Sequence, residues 1–209
     1  LIDAMRPDTP YPVLELSGEM GSSKSTTQRR LRALIDPAAV PLRGAPKCVE
    51  DIHIAAANAQ VSSFENLSSL SLEMQDALCI LSTGGGYATR TLYTNGDEHV
   101  ISSKNPVLLN GINAVATAPD LIERVISVEL PTIAAKKRQD EQSMETAWEK
   151  DYPGIFAGLL TLFADALEIL PRVVIPEGMQ KRMIDFQRLG EAICMALGGK
   201  AGEFSQRLD

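Results

Sequence analysis

Histidine and cysteine are scarce in this chain of 209 residues, and each scarcity removes a class of chemistry. Two histidines, His53 and His99, are too few for a histidine-based metal centre. The three cysteines, Cys48, Cys79 and Cys194, are widely separated, odd in number and without C-x-x-C spacing. That pattern argues against a zinc site and suits a reduced, cytoplasmic protein. An excess of basic charge is missing too. With 20 Lys and Arg against 27 Asp and Glu, the net charge is −7, which argues against a free-standing nucleic-acid binder held by a basic surface. A ring subunit with a local basic pore stays compatible with it. The most apolar segment, Ile155 to Leu170, is broken by Asp165 and Glu168, too short and too charged to span a bilayer, and no signal peptide is visible. No membrane partner is expected. The spacing of Ile155, Leu159, Leu162, Phe163, Ala166, Leu167 and Leu170 predicts a buried amphipathic helix instead. No internal repeat is visible, and the chain begins on Leu1 rather than methionine, so missing flanking domains are expected.

What is present is concentrated near the N-terminus. The run Leu14-Glu15-Leu16-Ser17-Gly18-Glu19-Met20-Gly21-Ser22-Ser23-Lys24-Ser25-Thr26 reads as a strand, a small-residue loop and a helix start. It fits the P-loop pattern G-x-x-x-x-G-K-S/T except at Ser23, where the pattern has glycine. In such a loop the backbone N–H groups point at phosphates, Lys24 reaches the β and γ phosphates of ATP, and the Ser25 hydroxyl sits on Mg²⁺. Gly18, Gly21, Ser22, Ser23, Lys24, Ser25 and Thr26 are therefore the expected nucleotide-binding residues. The following helix places Leu31, Leu34 and Ile35 at helical spacing, with Gln28, Arg29, Arg30 and Arg32 on the other faces, and Asp36-Pro37 stops it. A serine before the lysine puts a side chain where the backbone needs freedom to approach phosphate.

Strand and helix signals alternate up to Pro131, and helices follow. The pattern predicts strands over Val13–Leu16, Val40–Arg43, Gln60–Phe64, Val107–Leu109 and Val125–Leu130, with helices over Val49–Asn58 and Ser71–Leu81. Two alternating segments, Tyr87–Tyr93 and His99–Ser103, join through Asn95-Gly96 as a hairpin. The charged stretch Ala134–Lys150 reads as a solvated helix face or connector, and a last helix runs from Met183 to Leu197. The expected fold class is α/β: a P-loop NTPase with a parallel core sheet and an inserted β-hairpin over residues 1–133, then a small helical C-terminal subdomain over 134–209.

Glu65, ending a strand on the edge where ligands of open α/β sheets gather, is placed to hold Mg²⁺ through water beside Ser25, with Asn66 orienting the nucleophile. The same acid–amide pair also reads as the cap of the next helix. Asn110, after an apolar strand, is placed to meet the γ-phosphate or the water, although turn chemistry alone explains Asn-Gly. Arg124, entering the last strand, reads either as an arginine finger reaching a neighbouring subunit or as a plain surface arginine.

Taken in order, Gly18 to Thr26, Phe64-Glu65-Asn66, a hairpin, Leu109-Asn110 and Arg124 before a strand resemble the superfamily 3 helicases of the AAA+ class, and more closely the ATPase domains attached to phage and mobile-element primases. The resemblance covers roughly residues 12 to 131, with Arg182-Met183-Ile184-Asp185-Phe186 similar to the C-terminal part of those ATPases. It implies a homo-oligomeric ring, a hexamer, that hydrolyses ATP with Mg²⁺ at subunit interfaces and moves along DNA. In it Lys24 and Ser25 match the Walker A lysine and hydroxyl, Glu65 the Walker B acid, Asn110 the polar sensor and Arg124 the finger.

Three positions depart from that pattern: Ser23, Asn66 where many AAA+ enzymes carry a catalytic glutamate, and the hairpin tip Thr94-Asn95-Gly96-Asp97-Glu98-His99, whose carboxylates repel phosphate. Arg90 and Lys104 on the hairpin flanks are better candidates for DNA, with Tyr87 or Tyr93 stacking on bases. Two other readings stay open beside the motor. One is a P-loop kinase for a small molecule. The other is a nucleotide-gated assembly protein with little turnover.

Overall fold

The structure is a computed structural model that describes residues 1–7, 9–90 and 98–208. The chain divides into two compact units: Leu1 with Asp3–Thr132, and Ile2 with Ile133–Asp209.

The first unit is built on four parallel strands, β1 (Val13–Ser17), β2 (Ser62–Leu67), β5 (Val107–Gly111) and β6 (Val125–Glu129), in the order β2-β5-β1-β6. Val13 pairs with Val107 on one side and Val125 on the other, so the segment that ends in Gly18 lies inside the sheet. Strands enclosed on both faces read as apolar runs, and every residue of β5 is buried. Helices α1 (Lys24–Ala33), α2 (Val49–Ala57), α3 (Leu72–Thr83) and α4 (Pro119–Ile122) connect the strands. Ser71 caps α3 by accepting from the Met74 N–H at 3.3 Å, and Gly84 ends it at φ 91°, a conformation that favours glycine. The core joins Val13, Ile52, Phe64, Leu78, Leu81, Leu109 and Leu121. Truncating the fully buried Leu109 to alanine is expected to cost about 2–5 kcal/mol.

Antiparallel strands β3 (Gly85–Arg90) and β4 (Glu98–Ser103) form a separate two-stranded sheet, in register from Gly85↔Ser103 to Arg90↔Glu98. The expected Asn95-Gly96 turn lies outside the described residues. The strand expected over Val40–Arg43 is reduced to a single bridge, Arg43 to Phe64. Pro41 has no N–H to give a ladder, and Val40 is exposed.

The face of α1 also differs from expectation. Gln28 and Arg32 are fully buried while Leu31 is half-buried. Arg32 is consumed locally, with its Nη2 3.1 Å from Asp36 Oδ2 and its Nη1 donating to the Val40 and Pro41 carbonyls at 3.2 and 2.7 Å. A spacing argument assigns polar side chains to solvent, and it fails where each donor finds a carbonyl or carboxylate inside.

In the second unit the two segments read separately form one helix, α5 (Glu141–Ile169), capped by Asp140, which accepts from the Ser143 N–H at 2.8 Å. The helix runs through Pro153. Its expected burial is corrected: Ala166 alone of its residues is fully buried, and Ile155, Leu160 and Leu167 are each 44% exposed. The segment expected to be too short to span a bilayer is thus part of a longer helix: with the turn that follows, Glu141–Arg172 is long enough to cross a membrane, and its most apolar 18-residue window has a mean hydropathy of 1.6. Its inner side, Leu159, Leu162, Phe163 and Ala166, packs in one cluster with Leu189 and Ala192 of α6 (Ile184–Ala196). Buried Glu191 of α6 accepts from the Ser205 N–H at 2.7 Å and the Gly202 N–H at 3.0 Å, fixing the short helix α7 (Glu203–Gln206).

Candidate functional site

The loop leaving β1 is shaped at its first residue by two backbone contacts, one of which needs a glycine. Gly18 sits at φ 145°, and a Cβ there would lie 2.5 Å from the Leu130 carbonyl oxygen. Its N–H donates to the Ile112 carbonyl at 3.1 Å. Gly21 follows at φ 81°, and Ser23 at φ 60° and ψ 30°. A serine therefore takes the left-handed conformation that glycine adopts freely, at a cost of order 1 kcal/mol. Ser23 is the N-cap of α1 and makes no side-chain cap bond, so the amides of the first turn have no partner from that hydroxyl.

Lys24 is folded across the loop that precedes it. Its Nζ donates to the Gly18 carbonyl at 2.6 Å, the Glu19 carbonyl at 2.9 Å and Ser22 Oγ at 3.4 Å. Buried Ser22 in turn donates to the Glu19 carbonyl at 2.9 Å, so both side chains hold the loop closed on itself. Beside this turn lies a cleft of about 620 Å³. Met20, Gly21 and Ser23 to Thr26 line one side; Asn66, Leu67 and Ser68 from the end of β2, with Ile112 and Asn113 after β5, line the other. Parallel strands place all these segments at one edge of the sheet.

The structure brings Asn66 to the cleft and leaves Glu65 off its lining. The register of β2 on β5 shifts between Phe64 and Leu67, and Asn66 stands at φ 56°. That irregularity turns Asn66 outward. Glu65 is half-buried on the same strand end; its N–H donates to the Arg43 carbonyl at 2.8 Å, and no other described residue pairs with its carboxylate. Asn110 stands behind the cleft. It is fully buried, its Oδ1 accepts from the Asn66 N–H at 2.9 Å, and its Nδ2 donates to Gln28 Oε1.

Arg124 lies at the opposite edge of the sheet, where its carbonyl accepts from the Val13 N–H at 2.9 Å. Its guanidinium is 2.7 Å from Asp120 and 11% exposed, with Nε buried and unbonded. Close to this pair, burial pushes the Cys79 thiol up to about 11, so it stays protonated and inert at neutral pH. Lys104 lies with its Nζ 5.9 Å from the Tyr11 ring centre. Tyr87 stacks on His53 at 4.4 Å and donates its hydroxyl to Glu50, so its ring already has a partner. The Arg90 side chain, Tyr93 and the tip 94–97 lie outside the described side chains. Burial holds His53 below its ordinary value of 6.5, opposed in part by Glu50.

Buried polar residues that sequence reasoning passed over hold the loop that follows β5. Glu15 in β1 accepts from the Val115 and Ala116 N–H groups at 2.6 and 3.1 Å. Gln75 in α3 accepts from those of Thr117 and Ala118, each at 2.8 Å. The visible signal for Glu15 was a carboxylate inside the apolar run Val13-Leu14-Glu15-Leu16.

Among known proteins, the family described as actinomycete integrative conjugative element replication protein matches residues 1–203. No curated protein matches the chain. Among solved structures, a ligand-bound JCV helicase is similar at 12% identity and a TM-score of 0.46, over 97% of this chain and 56% of that one. The chain thus spans a little over half the length of that helicase chain.

Proposed function

The chain belongs to the actinomycete integrative conjugative element replication proteins, and on that premise we propose that it is an ATP-hydrolysing P-loop motor, a helicase or translocase acting in replication of such an element. The observation that carries the reading is the cleft that the uncapped first turn of α1, Lys24 to Thr26, lines together with Asn66 and Asn113. Helix N-terminal amides without partners bind anions well, and the walls leave room for a nucleotide's polyphosphate. Lys24 would exchange its two loop carbonyls for the β and γ phosphates, and the Ser25 hydroxyl would meet the metal. Magnesium, when bound, neutralises charge on the phosphate oxygens. Among the described residues no cluster of three acidic, histidine or cysteine side chains exists to cage a metal. Mg²⁺ is held by phosphates, water and one or two protein groups, which here would be Ser25 and, through water, Glu65.

In this reading Asn66 orients the attacking water, and turnover is slow because an amide accepts no proton from it. Arg124 completes the site of a neighbouring subunit in a homo-oligomeric ring. Lys104 and Arg90 meet DNA at the hairpin flanks, and a primase or other flanking domain works beside the motor. Phosphate release measured with and without single-stranded DNA tests the proposal. DNA is expected to raise the rate several-fold; a chain that binds ATP with a rate indifferent to DNA would instead be a nucleotide-gated assembly protein.

A further inference from the structure

We infer that Gln28 is a positioning residue, the first member of a relay of three amides that runs from the phosphate-loop helix through Asn110 to Asn66. The inference rests on the proposed function for its catalytic consequence and on the structure for its geometry. Gln28 lies one helical turn beyond Lys24, on the same side of α1, and is fully buried. A primary amide in that position costs free energy unless its hydrogen-bonding capacity is met, and here it is met by residues of the two strands β2 and β5. Its Nε2 donates to Ser63 Oγ at 2.8 Å, the Phe64 carbonyl at 3.0 Å and the Leu108 carbonyl at 3.2 Å. Its Oε1 accepts from Asn110 Nδ2, and Asn110 Oδ1 accepts from the Asn66 N–H at 2.9 Å.

The polarity of the relay is fixed from both ends. Backbone carbonyls only accept, so the Gln28 nitrogen must face Phe64 and Leu108 and its oxygen must face Asn110. A backbone N–H only donates, so the Asn110 oxygen must face Asn66 and its nitrogen must face Gln28. Each assignment forces the next, and no flipped arrangement satisfies all the groups.

Two consequences follow. Asn110, with both ends of its amide engaged inside the protein and no part in the cleft lining, acts on the nucleotide through Asn66 rather than by touching phosphate. Asn66 stands at φ 56°, a left-handed conformation that asparagine tolerates better than other residues with a Cβ; the bond from its N–H to Asn110 adds to that tolerance and fixes the backbone from which its side chain reaches the cleft. Movement of the first turn of α1 as phosphate engages Lys24 to Thr26 would therefore be transmitted through Gln28 to the water-orienting amide.

The test uses Gln28→Met, which keeps length and removes every polar contact, and Gln28→Met/Asn110→Leu, which makes both partners apolar and so avoids leaving one buried and unmatched. For Gln28→Met the relay predicts nucleotide affinity within about threefold of wild type and kcat reduced at least tenfold. It also predicts at least tenfold faster hydrogen exchange at the Asn66 N–H. The double variant should lose no more than the single one, because members of one relay act as a unit; it carries the test if the single variant fails to fold. A folded variant with unchanged Asn66 exchange and unchanged kcat would overturn the relay. Faster Asn66 exchange in a chain whose wild type turns over no ATP would uphold the relay and defeat the function proposed above.

Discussion

Ser23 and His53 show how far single residues are held from their ordinary states. Ser23 keeps a left-handed backbone that the motif assigns to glycine, and the loop stays closed around Lys24 despite it. His53 is buried under Tyr87 with its Nδ1 unbonded, and burial lowers its proton affinity. The unfolded chain then binds a proton that the folded one resists, so stability rises with pH through this residue. It is fully present above about pH 6.5 and is lost as pH falls below that value, toward the lower value of the folded state. His53→Phe keeps a ring for Tyr87 and removes the proton. Urea unfolding at a series of pH values should show that the variant has lost the wild-type decline below about pH 6.5; an unchanged decline would place it elsewhere. At this scale the sequence was legible where a residue type has one use, as with Gly18, whose backbone at φ 145° leaves no room for a Cβ. It was illegible for Gln28, since an amide on a helix looks the same exposed or buried until its acceptors are known.

Elements followed the sequence where apolar content was concentrated. The four parallel strands and the helices α1, α2, α3 and α6 stand within a few residues of the spans read from pattern, because short β runs bounded by turn residues have few alternatives. The failures have separate causes. Pro41 denied a strand its ladder. A charged half and an apolar half of α5 looked like two elements, although helix continuity depends on backbone bonds that charge does not interrupt. The loop from Ile112 to Ala118 was invisible as structure because side chains far away in sequence, Glu15 and Gln75, hold its amides. Glu15→Leu should therefore leave the Val115 and Ala116 N–H groups without acceptors and cost about 2–4 kcal/mol. Glu15→Gln, which keeps one acceptor oxygen, should cost less than half as much. Equal losses in urea unfolding would show that burial of the side chain, and not acceptance from the loop, is what matters.

At the scale of the whole molecule, the order of motifs carried more than any one of them, and family membership agrees with a mobile-element replication protein. That the small-residue loop after β1 and the polar end of β2 share one cleft was legible; that Glu65 would stand off its lining while Asn66 joined it was not, since the bulge in β2 has no sequence signature. Arg124 sits at the other edge of the sheet from the cleft, so any catalytic role for it belongs to a neighbouring copy. Arg124→Ala should leave nucleotide affinity within about twofold and abolish turnover. Mixing it with Lys24→Ala subunits, which still supply the arginine, should restore part of the rate, and mixtures that stay inactive would assign Arg124 to its pair with Asp120 alone. All of this presupposes a nucleotide on the loop before Thr26. Titration calorimetry of Mg·ATP into the wild-type chain and Lys24→Ala tests that most directly: the account predicts saturable binding by the wild type that the substitution weakens at least a hundredfold, and equal affinity in the two proteins, or none in either, would contradict it.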